Sequence, residues 1–163
     1  MNAVDRFTTA AAEVGLDPAI QRFPEGTRTA VDAAAAVGCA VGQIVKSLVF
    51  SVDGSPILIL TSGANQVDTG LMSELLGARL EKADAAVVRE ATGFAIGGTP
   101  PLGHATPLRT LLDEDLLTHD EVWAAAGTPD TCFPIAPGDL ATLTGAEVVA
   151  VRHRTEGDID GNL

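Results

Sequence analysis

Two apolar runs on either side of Asp53-Gly54 constrain the fold of this chain most strongly. The first run extends from Ile44 to Val52 and the second from Pro56 to Thr61. An Asp-Gly pair between two such runs is a strong signal for a β-hairpin. We therefore expect two adjacent antiparallel strands, with Pro56 at a position where the ladder needs no N–H donor.

A single charged residue, Lys46, interrupts the first run. Side chains alternate between the two faces of a strand, so Lys46 shares the more apolar face with Leu48 and Phe50, and Ser47 faces the opposite side. A lysine held on such a face can have an altered basicity and a fixed direction, as site residues do. The alternative is a lysine that extends from the end of the strand into solvent.

A loop rich in glycine and proline covers residues 97–104, Gly-Gly-Thr-Pro-Pro-Leu-Gly-His. Prolines lack N–H donors and glycines relax the backbone, so this segment is neither a helix nor a central strand. Gly97 and Gly98 allow main-chain N–H groups to approach a ligand, and Pro100 and Pro101 stiffen the rest of the loop, which favours an anion or oxyanion cradle. The alternative is a simple turn between two strands.

Composition and charge limit the classes of fold and partner. The chain of 163 residues is 46% hydrophobic, which predicts one domain over residues 1–153, followed by a polar, flexible tail at 154–163. Tyrosine is absent, so bases are not expected to stack on aromatic platforms. A net charge of −12 without any basic run argues against DNA and against an extended nucleic-acid interface. Solubility is the alternative explanation of the acidity.

No pattern in the sequence predicts a metal site or a cofactor. Cys39 and Cys132 lack the spacing of metal ligands, and His119 and His153 are predicted to lie on the surface. The amino terminus has no signal-peptide pattern, and no stretch approaches a membrane span. We therefore expect a cytoplasmic protein that does not contact membranes.

Helix and strand signals follow one another in an α+β pattern without a repeat. Capping residues, apolar spacing and terminal glycines predict helices at Ala3 to Val14, Thr29 to Val37, Asp68 to Leu76, Asp84 to Thr92 and Pro137 to Leu143. Short strands besides the hairpin are predicted at Ile20 to Phe23, Phe94 to Ile96, Leu108 to Leu112, Val122 to Ala125, Cys132 to Ile135 and Glu147 to Val151. This pattern leaves the closure of the sheet open.

The lysine-bearing strand, followed by the Gly-Gly-x-Pro-x-x-Gly loop, resembles the YbaK/EbsC and prolyl-tRNA-synthetase-associated family. The resemblance covers most of the chain and includes these stretches: Val31 to Gly38, Gln43 to Phe50, Ile57 to Asn65, Thr92 to Gly98 and Asp139 to Ala146. It implies a mixed, distorted β-barrel surrounded by helices. It also implies metal-independent hydrolysis of the ester in mischarged aminoacyl-tRNA.

The resemblance also implies partners and residue roles. The partner would be the acceptor end of a mischarged tRNA, with tRNA(Pro) as the expected case, held by local positive charges such as Lys46, Arg22 or Arg28 or delivered by prolyl-tRNA synthetase. Lys46 would bind the ester, with Gly97 and Gly98 as main-chain donors. Substrate binding is expected at Phe23, Ser47, Thr99, Pro100, Pro101, Gly103 and His104. His104 could equally serve as a cap of the loop.

Two departures from the family pattern bear on the substrate. Relatives that edit cysteine tend to have a tyrosine near Phe23 and a serine near Ala125, and both hydroxyls are missing here. A less polar pocket would favour alanine or another small aliphatic residue slightly over cysteine. Two alternatives stay open, namely a binding or adaptor module without turnover and a hydrolase of another small activated ester.

Overall fold

The computed structural model describes residues 1–27 and 29–152, and this part of the chain has a mixed α+β fold. The predicted tail at 154–163, the predicted surface position of His153 and the cation Arg28 lie outside the described residues. None of the helices in the described ranges is long and apolar enough to cross a membrane.

Each predicted α-helix forms within one residue of its predicted bounds. Their bounds are α1 Ala3–Glu13, α2 Ala30–Val37, α3 Thr69–Leu76, α4 Ala85–Thr92 and α5 Pro137–Thr144. The side chains of Thr29, Asp68 and Asp84 accept hydrogen bonds from main-chain N–H groups three residues later, which confirms them as N-caps. Short 3₁₀ helices occupy Val41–Gln43 and Glu114–Thr118.

The strands form two sheets. Their bounds are β1 Gln21–Arg22, β2 Val45–Val52, β3 Ser55–Ser62, β4 Leu80–Lys82, β5 Arg109–Asp113, β6 Val122–Ala125, β7 Thr131–Ile135 and β8 Glu147–Val149. The larger sheet has the order β4-β2-β3-β5-β8, and the smaller has the order β1-β7-β6. The mixture of parallel and antiparallel pairs confirms the predicted α+β class.

The predicted hairpin is confirmed in detail. β2 and β3 pair from Val45 with Ser62 to Val52 with Ser55 without interruption. Asp53 and Gly54 have φ values of 50° and 80°, as a type I′ turn requires. The β3 strand then pairs with β5 in parallel, which places it at the centre of the larger sheet.

One predicted strand is wrong. Phe94 to Ile96 is a bend and turn, because the Thr92 hydroxyl accepts from the Phe94 N–H at 3.0 Å and lies 3.1 Å from its carbonyl oxygen. These local bonds use the main-chain groups that a ladder would need. The β4 strand was not predicted, since three residues with the sequence Leu-Glu-Lys carry no alternating apolar pattern.

The two sheets do not form a closed barrel in the part of the chain that the structure describes. An isolated parallel bridge between Ile44 and Trp123 links the larger sheet to β6 of the smaller one. β4 covers the outer edge of β2 only from Phe50 to Val52. A stretch of this edge, between the bridge and β4, therefore has no strand partner.

Both faces of the hairpin are covered. Val45, Val49, Leu58 and Leu60 belong to the larger core, which includes Phe7 and Phe133, whereas Phe50, Ile57 and Ile59 pack around Met72. The face of Lys46 is therefore not the more buried one, because Ser47 lies on the side of the larger core between Val45 and Val49.

Candidate active site

A cavity of about 670 Å³ lies along the open edge of β2. Seven consecutive residues, from Ile44 to Phe50, contribute to its lining. Because successive side chains point to opposite faces of a strand, consecutive residues can line one cavity only where it follows the edge of that strand. Trp123 and Ala125 of β6 border it, as do Lys82 and Ala83 at the end of β4.

Lys46 is held at this cavity by a main-chain acceptor. Its Nζ donates a hydrogen bond to the carbonyl oxygen of Asn65, and Gln66 and Val67 line the cavity next to that residue. Burial lowers the pKa of Lys46, and the negative charge of Asp113 opposes this shift. The interpretation as a site residue is therefore better supported than a lysine extended into solvent.

A polar network fixes the position of Asn65. Its Nδ2 donates to the carboxylates of Asp113 and Asp115, each at 2.8 Å, and its Oδ1 accepts from Arg152 at 3.0 Å. Asp113 is only 1% exposed, and it also accepts from the Ser62 N–H at 3.0 Å and the Asp115 N–H at 2.9 Å. The buried carboxylate is thus satisfied by several donors.

The charges around the cavity differ from those of the whole chain. The chain has 22 acidic and 10 basic residues excluding histidine, yet among the described residues the cavity lining contains the two lysines Lys46 and Lys82 and no aspartate or glutamate. A lining of this kind can accept an anionic group that the rest of the surface would repel.

The predicted glycine loop divides between two cavities. Gly97 and Thr99 line the large cavity together with Lys46 and Ser47. Pro101, Gly103 and His104 instead line a second, more open cavity of about 280 Å³. The structure therefore brings together only part of the predicted set.

Gly98 does not line the large cavity. Its N–H donates to the carbonyl oxygen of Ala95 at 3.0 Å, and a Cβ at this position would lie 2.8 Å from the main chain of Thr128. Gly97 has a φ of +87°, and its N–H has no hydrogen-bond partner among the described residues. The geometry favours Gly97 over Gly98 as a donor to a ligand.

The remaining predicted residues do not line the large cavity that contains Lys46. His104 Nε2 is 2.7 Å from the carbonyl oxygen of Pro100, an arrangement that matches the alternative role as a cap of the loop. Burial lowers the pKa of His104. The Phe23 N–H donates to the Asp130 carbonyl at 2.7 Å, and neither Phe23 nor Pro100 lines either cavity. Their roles in substrate binding remain predictions.

Several lining residues were not predicted from the sequence. Cys132 pairs with Ala125 across β6 and β7, and its thiol lies 3.5 Å from the Thr27 hydroxyl on the cavity wall. Val31 and Ile96 also line the cavity and are 69% and 60% exposed. The exposure of these two apolar side chains beside a cavity becomes visible only in the structure, so no sequence pattern could have identified them. Within residues 1–27 and 29–152, no cluster of three histidine, cysteine or acidic residues could hold a metal ion.

The chain is similar to known proteins in both sequence and fold. The aminoacyl-tRNA editing domain family matches residues 24–143. A crystal structure of a candidate trans-editing enzyme for prolyl-tRNA synthetase superposes with a TM-score of 0.89 at 47% identity, covering 94% of this chain and 99% of that one.

Two curated relatives differ greatly in length. The uncharacterized protein YwhH of Bacillus subtilis is 28% identical over 130 residues, which is 79% of this chain and 83% of YwhH. The proline–tRNA ligase of Maridesulfovibrio salexigens is 31% identical over 116 residues, which is 70% of this chain. The match spans only 20% of that ligase.

Proposed function

The chain belongs to the aminoacyl-tRNA editing domain family, and from this premise we propose that it is a trans-acting aminoacyl-tRNA deacylase. Its substrate is tRNA(Pro) that carries a small, wrong amino acid such as alanine, cysteine or serine. The reaction is hydrolysis of the ester between the amino acid and the terminal ribose, without a metal ion or cofactor.

One observation carries this proposal. In a chain with a net charge of −12, the part that the structure describes lines the large cavity with two lysines and with no acidic residue. The acceptor end of tRNA is anionic, so the cavity is the place where such a strand can approach with the least repulsion. The acidity elsewhere restricts the contact to the end of the RNA.

Lys46 supplies the fixed positive charge. An ammonium group has three donors, and the hydrogen bond to Asn65 uses one of them. The other two are available for an oxygen of the ester or of the terminal nucleotide, in charge-assisted hydrogen bonds. An aminoacyl ester is already activated, so orientation of water and stabilisation of the developing oxyanion suffice for hydrolysis.

The dimensions of the cavity support a ligand larger than a free amino acid. A volume of about 670 Å³ is within the range of small-molecule sites, roughly 300–1,000 Å³, and has room for an aminoacyl group together with its nucleoside. Ala125 lies on the wall, where it leaves space for a small aliphatic side chain. Val31 and Ile96 supply apolar surface to the nucleoside at the cavity.

The proposal is tested with tRNA(Pro) charged separately with alanine, cysteine, serine and proline. We expect release of the small amino acids over many turnovers and little release of proline. A separate editing site is needed because the synthetic site of a synthetase rejects smaller amino acids weakly. An amino acid that lacks one methylene group loses only about 1–3 kcal/mol of binding free energy there.

Other outcomes identify the alternatives. Binding of the charged tRNA with at most one turnover would identify an adaptor module. Equal hydrolysis of all four esters, or of small esters without tRNA, would identify a general esterase. Faster hydrolysis of prolyl-tRNA(Pro) than of every mischarged form would overturn the proposed specificity.

A further inference from the structure

Main-chain groups along β2 alternate between its two edges, and two hydrogen bonds fix which residues face which edge. The Gly63 N–H donates to the Ile44 carbonyl at 2.7 Å, on the side of β3. The Ala83 N–H donates to the Val49 carbonyl at 3.4 Å, on the opposite side. The register is unbroken from Val45 to Val52, so even-numbered residues bond β3 and odd-numbered residues face the outer edge.

Pro56 provides an independent check of this assignment. It lies opposite Ser51 in the hairpin, and odd-numbered residues of β2 form the pairs that exchange no hydrogen bond with β3. A proline fits only such a position, because it has no N–H to donate. The predicted placement of Pro56 agrees with the direction of the two hydrogen bonds.

Ser47 therefore directs its N–H and its carbonyl oxygen to the outer edge of β2. The β4 strand pairs only with Phe50 to Val52, and the bridge to Trp123 is at Ile44, so neither neighbour reaches Ser47. The cavity lies at this gap. In addition, the Ser47 hydroxyl is buried without a hydrogen-bond partner among the described residues. Buried polar atoms in native proteins are almost always satisfied, so this hydroxyl marks a polar position at the gap that a bound molecule or water can satisfy.

We infer that the main-chain N–H of Ser47 is a catalytic donor that binds the carbonyl oxygen of the scissile ester together with the N–H of Gly97. This inference rests on the proposed deacylase function. Both residues line the large cavity. The Gly97 N–H has no main-chain acceptor among the described residues, and the register of β2 gives the outward-facing Ser47 N–H no strand partner. The edge of β2 then shares with Gly97 the oxyanion-binding role that the sequence predicted for the glycine loop alone.

The chemical step is addition of water to the ester carbonyl and loss of the ribose oxygen. A water oxygen bonds to the carbonyl carbon and loses a proton to solvent, while the π electron pair moves onto the carbonyl oxygen. The two N–H groups donate to the resulting oxyanion. The carbonyl then re-forms, the bond from carbon to the ribose oxygen breaks, and that oxygen takes up a proton from solvent.

Hydrogen exchange of the main-chain amides tests the geometry without turnover. In the free protein, we expect the Leu48 amide to be protected by its bond to β3 and the Ser47 amide to exchange rapidly. The probe is the amide-linked, non-hydrolysable analogue of 3′-alanyl-adenosine, and its addition should protect Ser47 and shift its amide resonance. A Ser47 amide that is already protected without the probe, or is unaffected by bound probe, would overturn the inference.

Proline substitution tests the catalytic role. Ser47→Pro removes the donor without removing a ladder bond, so we expect a folded variant whose kcat falls about 10²-fold with little change in KM. Ser47→Ala removes the hydroxyl but keeps the N–H, so its kcat should fall less than that of Ser47→Pro if the N–H is the catalytic donor. Leu48→Pro is the control, and it should unfold because it loses a bond to β3.

The outcomes separate this inference from the proposed function. Wild-type kcat in folded Ser47→Pro, or equal instability of the two proline variants, would overturn the inference while leaving the deacylase intact. A wild-type protein that hydrolyses no aminoacyl-tRNA, yet shows Ser47 protection by the analogue, would refute turnover and retain Ser47 as the ligand contact.

Discussion

The ammonium group of Lys46 donates a hydrogen bond to the main-chain carbonyl of Asn65, on the segment that follows β3. The side chain of Asn65 is bound in turn to Asp113 and Asp115. The lysine therefore has a defined direction at the cavity, and the network that supports it reaches the carboxyl end of β5. A cation placed in this way is preorganised for an anionic ligand.

Replacement of Lys46 by alanine should abolish deacylation and leave the protein folded. The ammonium group is partly buried, so the cost of losing its bond to Asn65 is offset by relief of desolvation. We expect a change in stability within about 1 kcal/mol and a loss of at least about 10²-fold in single-turnover rate. Lys82→Ala removes the other lysine of the same cavity, so it is the control for a general loss of positive charge at the cavity. Near-normal hydrolysis by folded Lys46→Ala would remove this lysine from the site.

The lowered pKa of Lys46 predicts a pH dependence of stability. Between the lowered pKa in the folded protein and the ordinary lysine value of about 10.4 in the unfolded chain, the unfolded state binds more protons. The free energy of unfolding of the wild type should therefore rise with pH in this alkaline window, relative to Lys46→Ala. Urea titrations of both proteins at several alkaline pH values measure this difference. A constant or falling difference would contradict the shift.

Neutralising Asp113 should lower the pKa of Lys46 further, because the carboxylate opposes the effect of burial. Asp113→Asn also replaces one acceptor oxygen by an NH₂ group, and the Asp113 carboxylate accepts from the Ser62 N–H and from Asn65 Nδ2. Loss of an acceptor for these donors should destabilise the protein by about 1–3 kcal/mol. Titration of the lysine Nζ resonances measures the pKa directly, and exposed Asp139→Asn is the control. If Lys46 titrates identically in Asp113→Asn and the wild type, Asp113 does not support its charge.

Local chemistry explains which parts of the fold could be predicted. The hairpin turn and the caps at Thr29, Asp68 and Asp84 depend on residues within a few positions of one another, and all of them are confirmed. The open edge of β2 depends on where β4 and β6 end, and no local pattern encodes this.

The same distinction applies to the site. Lys46 could be identified from its neighbours in one strand, whereas its acceptor Asn65 is fixed by carboxylates that come from β5 and the turn after it. Residues 97–104 are continuous in sequence, yet left-handed backbone at Gly97 and Gly103 turns the chain, and the two halves line different cavities. Sequence spacing could not reveal that division.

Gly63→Ala should destabilise the protein strongly. A Cβ at Gly63 would overlap the Val41 carbonyl oxygen and lie 2.8 Å from the Ala30 Cβ, so main chain would have to move. We expect a loss of about 1–3 kcal/mol, measured by thermal melting. Gly138→Ala in α5 is the matched control, since its Cβ would meet nothing within 4 Å and alanine favours a helix by about 0.5–1 kcal/mol. Equal melting temperatures for the two variants would contradict this packing.

The two adjacent glycines of the loop should respond differently to alanine. At Gly98 the added methyl group would lie 2.8 Å from the main chain of Thr128, so Gly98→Ala should lower the melting temperature clearly. At Gly97 the Cβ has open space, and the cost is the left-handed φ of +87°, about 1–2 kcal/mol of strain. Relief of this strain would rotate the Gly97 N–H away from the cavity, so Gly97→Ala should lose about 10²-fold in rate while remaining folded. Single-turnover hydrolysis at a temperature where both variants are folded makes the comparison. Full activity of Gly97→Ala would show that the loop is a simple turn and that the oxyanion is bound elsewhere.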